Sequence, residues 1–322
     1  MMKISIVIPV FNEQESLPKL HQAIHEALDG IQGLNWRVIY IDDGSSDDSL
    51  QLLEELAFTD PSHTIVIEFR RNFGQTAAIA AGIDYSQGDI IILMDADLQN
   101  DPADIPMMLE KIDQGYDVVS GWRVNRQDTF LTRRLPSNIA NWIISTVTGV
   151  KLHDYGCTLK AYKREIFDNF RLYGEMHRFI PAYAHSVGAK ITEVPVRHHP
   201  RRYGETKYGL SRTTKVILDL LTVKFLISYA NKPIYLFGGT GFVLISISML
   251  VMLFLSVRRL WLQVSVFESP LFIISILSLI LGFQSIFIGL IAELLVRTYH
   301  ESQHKPTYTV RKVINPPSSP DN

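Results

Sequence analysis

The 322-residue sequence predicts an α/β fold: a mixed, mostly parallel sheet flanked by helices, then interfacial amphipathic helices and a two-helix transmembrane hairpin. Three observations carry this reading. Short unbroken apolar runs recur as far as Gly121, and they alternate with segments of helical period. That alternation is the rhythm of a sheet whose strands are buried on both faces. After about residue 230 the composition changes, and two long stretches lack Asp, Glu, Lys, Arg and His altogether. The formal net charge of −2 gives no reason to expect nucleic acid as a partner. The single cysteine, Cys157, excludes an internal disulfide and fits a reducing compartment; a lone cysteine reads as a small buried hydrophobe.

The first strand is Ile4 to Val10. It is too short for a signal peptide, and the polar FNEQES follows it in place of a small-residue cleavage site. A helix is expected from about Glu15 to Leu28. The second strand, Arg37 to Ile41, runs into Asp42-Asp43-Gly44-Ser45-Ser46-Asp47, a turn suited to hydrogen bonding a ribose or base edge. The same Ser and Asp residues equally suit a helix N-cap. The third strand, Thr64 to Phe69, leads through Arg70-Arg71-Asn72-Phe73-Gly74-Gln75 to an alanine-rich helix through Ala81. Arginines at the mouth of a helix suit a pyrophosphate. Ile90 to Met94 makes the fourth strand and Asp117 to Gly121 the fifth. No G-x-G-x-x-G follows the first strand and no Walker A sequence is present, which counts against dinucleotide enzymes and P-loop NTPases.

The fourth strand ends in Asp95-Ala96-Asp97. Residues i and i+2 of an extended chain point to one side, so both carboxylates lean over the C-terminal edge of the sheet. Open α/β sheets bind their ligands at that edge. Two carboxylates facing one way repel unless a cation lies between them, and Mg²⁺ takes one or two carboxylates and fills its shell with water and phosphate oxygens. Gln99 offers a further neutral oxygen, and Asp101-Pro102 reads as an N-cap with proline at the first helical position. Alone, the motif equally suits an acidic surface turn.

IVIPVFNE, IDDGSSD, RRNFGQTAA and MDADLQNDP, in that order and spacing, resemble the family 2 glycosyltransferases of GT-A fold. Within that family, the chain is most similar to the polyprenyl-phosphate glycosyltransferases, namely bactoprenol-phosphate glucosyltransferases and dolichol-phosphate mannose synthases. The similarity covers nearly the whole chain. It implies that Pro9, Phe11, Glu13 and Asp43 surround the base and ribose of a nucleotide sugar, with Arg71 on the same side. It also implies that Asp95, Asp97 and Gln99 hold Mg²⁺ or Mn²⁺ on the donor pyrophosphate. Mannose synthases usually carry a lysine where this chain reads NFGQTAA, so a UDP-sugar is expected over GDP-mannose. UDP-glucose is favoured on family similarity alone. UDP-GlcNAc and UDP-aminoarabinose types remain alternatives.

After Gly121-Trp122-Arg123 the α/β rhythm is lost. Arg133 and Arg134 precede a segment, about 135–150, in which Ile139, Trp142, Ile143, Val147 and Val150 share one helical face. Such a helix suits a membrane interface or the surface of the domain. Asp154-Tyr155-Gly156 matches the family's acceptor-side acidic motif, which makes Asp154 a candidate base. An acceptor phosphate is already ionised at neutral pH, with a second pKa of about 6, so Asp154 equally suits positioning of the acceptor or an arginine. His198 and His199 precede a dense basic loop, in which Arg201, Gly204, Thr206 and Lys207 match the family's basic pattern. Arg123, Arg133, Arg134, Arg201, Arg202 and Lys207 are the candidates for holding the acceptor phosphate. Residues 211–230 read as a second interfacial helix.

Two transmembrane helices are expected at 233–257 and 269–293, each beyond the roughly 20 apolar residues that span a bilayer. Cations crowd both flanks of this hairpin: Arg201 to Lys232 before it, and Arg297, Lys305, Arg311 and Lys312 after it. They place a catalytic domain at 1–210 and the tail at 297–322 on the cytoplasmic side of a cell membrane, against a weaker opposing signal from Arg258 and Arg259 in the connecting loop. The tail from Pro316 is expected to be disordered. The reading is a membrane-bound inverting enzyme that moves a sugar to a polyprenyl phosphate, with a homo-oligomer left open. A processive polysaccharide synthase is disfavoured because no Q-x-x-R-W motif is present. A non-catalytic nucleotide-sugar scaffold, or a subunit of a lipid-translocation complex, is the alternative from a different class.

Overall fold

The computed structural model describes residues 2–124, 141, 144–146, 148–169, 172, 176–200, 234–263, 265–267, 269–302 and 308–317. The chain forms two compact units, Met1–Leu220 with Pro306–Asn322, and Leu221–Lys305. The expected helix at 135–150 lies largely outside the described residues, and that at 211–230 wholly so.

In the first unit, β1 (Met2–Val10), β2 (Leu34–Asp42), β3 (Thr64–Phe69) and β4 (Ile90–Leu93) form the parallel heart of an eight-stranded sheet. All residues of β3 and β4 are buried; β4 is an unbroken apolar run, whereas β3 also buries Thr64 and Glu68. The helices between these strands are α1 (Leu17–Leu28), α2 (Ser49–Thr59) and α3 (Gln75–Asp84), with α4 (Ile105–Asp113) after β4. Leu17, Leu20, Ile24 and Leu28 recur at helical spacing on α1 and join one core with Ile6, Ile8, Val38 and Tyr40. Helix α3 packs closely on the sheet. A methyl group at Gly82 would lie 2.2 Å from Val7 Cγ1 and 2.9 Å from Ile41 Cδ1.

Beyond β5 (Val118–Trp122) the fold continues where the sequence loses its rhythm. β6 (Lys160–Lys163) enters antiparallel between β4 and β5, and β7 (Ile191–Pro195) pairs parallel with β5 after a short helix, α5 (Ile180–Ser186). At the other edge, β8 (Val310–Ile314) runs antiparallel to β3. The order across the sheet is β7-β5-β6-β4-β1-β2-β3-β8. The segment expected to be a tail is therefore partly a strand. Arg311 pairs with Glu68 of β3 at 3.0 Å and Lys312 with Glu54 of α2 at 2.8 Å, so both cations are partnered by carboxylates of the first unit.

The second unit is a pair of long helices, α6 (Ile234–Leu262) and α7 (Pro270–Ser302). Within them, Leu236–Trp261 and Pro270–Ala292 are long and apolar enough to cross a membrane, and only 17% and 11% of them is buried. A soluble core helix would be mostly covered; here Phe242, Leu250, Phe283 and Ile291 are exposed. Small residues let the two helices approach, with Ser248 Oγ donating to the Ser275 carbonyl at 2.6 Å and Ser285 Oγ to that of Phe237 at 2.8 Å.

Candidate active site at the carboxyl edge of the sheet

Strands β1 to β4 run the same way, so the turns after them converge on one edge. The turn after β1 and the turn after β2 are tied together. Asn12 takes a positive φ of 56° and its Oδ1 accepts from the Ser46 N–H at 2.8 Å, while the Asn12 N–H donates to Ser45 Oγ at 3.0 Å. Glu13 is held the same way, its N–H donating to Ser49 Oγ at 2.9 Å. Asp43 is buried and accepts from the N–H groups of Phe73 at 2.6 Å and Gly74 at 2.9 Å. It thereby fixes the mouth of α3, although each oxygen keeps a second acceptor position. Burial raises the Asp43 carboxyl above its ordinary value, against the pull of those two amides. Arg71 is exposed at this mouth, with its guanidinium 4.4 Å from the centre of the Phe73 ring.

Asp95 and Asp97 follow β4. Asp95 accepts from Gln75 Nε2 and from Thr158 Oγ1, both at 2.8 Å. Burial, and then the neighbouring Asp97 carboxylate, push Asp95 up to about 6. Asp97 Oδ1 accepts the N–H of Gln99 at 3.1 Å, across Leu98, whose φ of 59° is left-handed. A bulky side chain in that region is strained, and the left-handed backbone there turns the chain between Asp97 and Gln99. Pro9 lines a small cavity together with Asp95, Thr158 and Lys160.

Arg123, at the end of β5, meets Asp154 in a bidentate pair, Nε to Oδ2 at 2.6 Å and Nη2 to Oδ1 at 2.8 Å. The Gly156 N–H also donates to Asp154 Oδ1, at 3.1 Å. Burial works against the Arg123 charge, but the hydrogen bonds and charge of Asp154 outweigh it and raise the guanidinium above its ordinary value. The segment before the basic loop is stitched to the acidic turn. The His199 N–H donates to the Gln99 carbonyl at 2.9 Å, Asn100 bridges to His198, and Arg197 pairs with Asp101 and Asp104. Arg133, Arg134, Arg201, Arg202 and Lys207 lie outside the described residues.

The sequence reading missed Gln75 and Thr158, the two groups that grip Asp95, and buried Lys160, which donates to the carbonyls of Tyr155 and Cys157. Gln75 stands inside the RRNFGQ motif and Thr158 directly after the acidic Asp154 motif, which are the signals that could have found them.

A family model described as glycosyl transferase family 2 matches residues 5–171. The chain belongs to this family. Among curated relatives, a dodecaprenyl-phosphate galacturonate synthase of Rhizobium johnstonii is 40% identical over 98% of this chain and 94% of its own length. An undecaprenyl-phosphate 4-deoxy-4-formamido-L-arabinose transferase of Salmonella heidelberg is 40% identical over 99% of this chain and 95% of its own. Among solved structures, glucosyl-3-phosphoglycerate synthase of Mycobacterium tuberculosis, in complex with Mn²⁺ and UDP-glucose, aligns with a TM-score of 0.51 at 18% identity, covering 69% of this chain and 79% of its own. The same enzyme with Mg²⁺ and UDP also gives 0.51, at 19% identity. These structural matches carry the fold alone: it is the GT-A fold, as the four family motifs implied, followed by two apolar helices.

Proposed function

We propose that the chain transfers a sugar from a nucleotide donor to a polyprenyl phosphate, with inversion, at the cytoplasmic face of a cell membrane. The observation that carries this is the pair Asp95 and Asp97 at the carboxyl edge, with Asp95 raised to about 6 by burial and by its neighbour. Two neighbouring, half-buried carboxylates among oxygen donors fit a hard divalent ion, Mg²⁺ or Mn²⁺, which Asp95 and Asp97 would hold with Gln99 as neutral oxygen. Bound there, the ion neutralises the departing diphosphate. Gln75 and Thr158 orient Asp95 for that task. Pro9, Phe11, Glu13, Asp43 and Arg71 form the nucleotide side.

The acceptor phosphate is itself the nucleophile. One of its oxygens bonds to the anomeric carbon as the bond from that carbon to the diphosphate breaks, and no proton has to move. Asp154 therefore serves as a positioning residue that holds Arg123 charged and in place, rather than as a base. Arg123, with Arg133, Arg134, Arg201, Arg202 and Lys207, receives the acceptor phosphate. The tie between His199 and Gln99 holds the chain just before Arg201 to the acidic turn.

The donor sugar is revised by the relatives. The two relatives described above are named for galacturonate or formamido-arabinose transfer, which favours a sugar of that kind over the glucose favoured on family similarity. A single side of the membrane for both termini draws support from β8: the chain leaves the first unit, makes two spans, and returns to the same sheet. The cytoplasmic side rests on the flanking cations.

The test uses the full chain in detergent with polyprenyl phosphate, Mg²⁺ and labelled UDP-galacturonate, UDP-4-deoxy-4-formamido-L-arabinose or UDP-glucose. Label should enter the lipid phase with wild type and fall at least about a hundredfold with Asp97→Ala, since the ion supplies several kcal/mol of charge stabilisation. Nucleotide binding without transfer from any donor would leave the scaffold reading in its place.

A further inference from the structure

At the opposite edge of the sheet, where β2 and β3 begin, three histidines surround one carboxylate. His21 and His25 stand one turn apart on α1, Asp60 caps the end of α2, and His63 immediately precedes β3. His21 Nδ1 lies 3.2 Å from the Tyr40 hydroxyl and His25 Nδ1 lies 2.9 Å from Asp29 Oδ2. Both rings therefore turn Nε2 towards the same oxygen, Asp60 Oδ2, at 3.6 Å for His21 and 3.1 Å for His25. The other oxygen of Asp60 is held by His63 Nδ1 at 2.9 Å and by Ser62 Oγ at 3.0 Å. Trp36 packs the cluster from the side, stacked on His63 at 4.2 Å and edge-on to His25 at 4.8 Å.

We propose that His21 Nε2, His25 Nε2 and Asp60 Oδ2 form a second metal site, for a divalent ion of the zinc class, distinct from the Asp95 and Asp97 pair. The three ligand atoms lie within 4.8 Å of one another. Ligand atoms about 2.0–2.1 Å from a tetrahedral zinc stand roughly 3.3 Å apart, so the two contacts to Asp60 are already at ligand spacing and the pair of imidazoles closes by a small rotation. Two histidines at i and i+4 on one helix face are the spacing that grips zinc in helical sites. The outer shell is also in place: a carboxylate behind His25 and a phenol behind His21 fix which nitrogen faces the ion. Imidazole nitrogens select zinc-class ions, whereas the all-oxygen pair at the other edge selects Mg²⁺ or Mn²⁺. Side-chain exposures of 10% for His21, 27% for His25 and 17% for Asp60 leave a path for entry. An ion here would pin α1 to the turn between α2 and β3.

The test titrates tag-free, chelator-stripped, full-length protein in detergent with Co²⁺, in excess Mg²⁺ so that the hard ion fills the carboxylate pair. One equivalent should bind with the strong visible absorption of a four-coordinate site, and Zn²⁺ should bleach it. The band should vanish in His25→Asn and in Asp60→Asn and persist in Asp97→Asn. In wild type, each tenfold rise in free Zn²⁺ above its Kd should raise the folded-to-unfolded ratio about tenfold, with no response in His25→Asn. Absence of the band in wild type, its survival in His25→Asn, or its loss in Asp97→Asn would overturn the proposal and leave the cluster a hydrogen-bonded network. The wild-type titration decides on its own if a variant fails to fold.

Discussion

Replacing Asp154 with Asn separates the two roles open to this residue. The substitution keeps the shape but removes the charge that balances Arg123, whose side chain is 13% exposed beside an Asp154 that is 4% exposed. Breaking a buried pair from one side costs about 3–5 kcal/mol because the remaining charge is left uncompensated. The lower end applies here, about 3 kcal/mol, because the Asn oxygen still accepts one N–H and Asp95 lies near enough to act on the Arg123 charge. For a domain of this size, that is a fall in Tm of roughly 6–12 °C, read by thermal unfolding in detergent. The second arm is a double-mutant cycle with Arg123→Gln, scored on kcat. A positioning residue acts through Arg123, so the double variant should be no slower than the slower single variant. The kcat of Asp154→Asn should keep the pH profile of the wild type. Additive losses in kcat, or loss of a basic limb from the pH profile, would refute the positioning role and restore Asp154 as a base.

Three further outcomes follow from the geometry. Because burial and Asp97 raise Asp95 to about 6, a proton competes with the ion below that pH, so Mn²⁺ affinity measured by calorimetry should fall about tenfold per pH unit beneath it and level off above it. A flat profile between about pH 5 and 7 would show that Asp95 is not a ligand. Gly82→Ala drives a methyl into Val7 and Ile41 and should lower stability by about 1–3 kcal/mol, read as a lower Tm. Tyr308→Ala removes a ring stacked on Phe69 at 5.3 Å and a hydroxyl donating to Asp84 at 2.8 Å. It should cost about 2 kcal/mol, and Tyr308→Phe, which keeps the stack, about half of that.

The parallel heart of the sheet and its acidic turns were legible because each is a local pattern. Ile90 to Leu93 is an apolar run with a carboxylate pair directly after it, and the N-cap at Asp101 is a local signal of the same kind, its Oδ1 accepting from the Ala103 N–H at 3.0 Å. What stayed hidden is non-local. The Arg123–Asp154 pair joins residues 31 apart, and Thr158 reaches Asp95 across 63. No periodicity announces such contacts. The strand β8 escaped notice for a different reason. VRKVI carries two cations in five residues, as an edge strand facing water should, and so resembles a charged tail. The histidine cluster gathers from three separate elements, and each histidine alone is an unremarkable helix or turn residue.

The late position of β8 sets an order of events in biosynthesis. Glu68 of β3 and Arg311 of β8 meet across 243 residues of sequence, and both long apolar helices lie between them. At about 5–20 residues per second, the outer edge of β3 stays open for roughly 12–50 s while the hairpin is made. An open strand edge is a template for pairing with another chain. A chain that stalls in the hairpin, or is cut after it, therefore keeps its acidic turns and loses its edge guard. Closure of the sheet thus requires that the last helix has been made, and a chain without β8 presents an open strand edge for pairing with another chain.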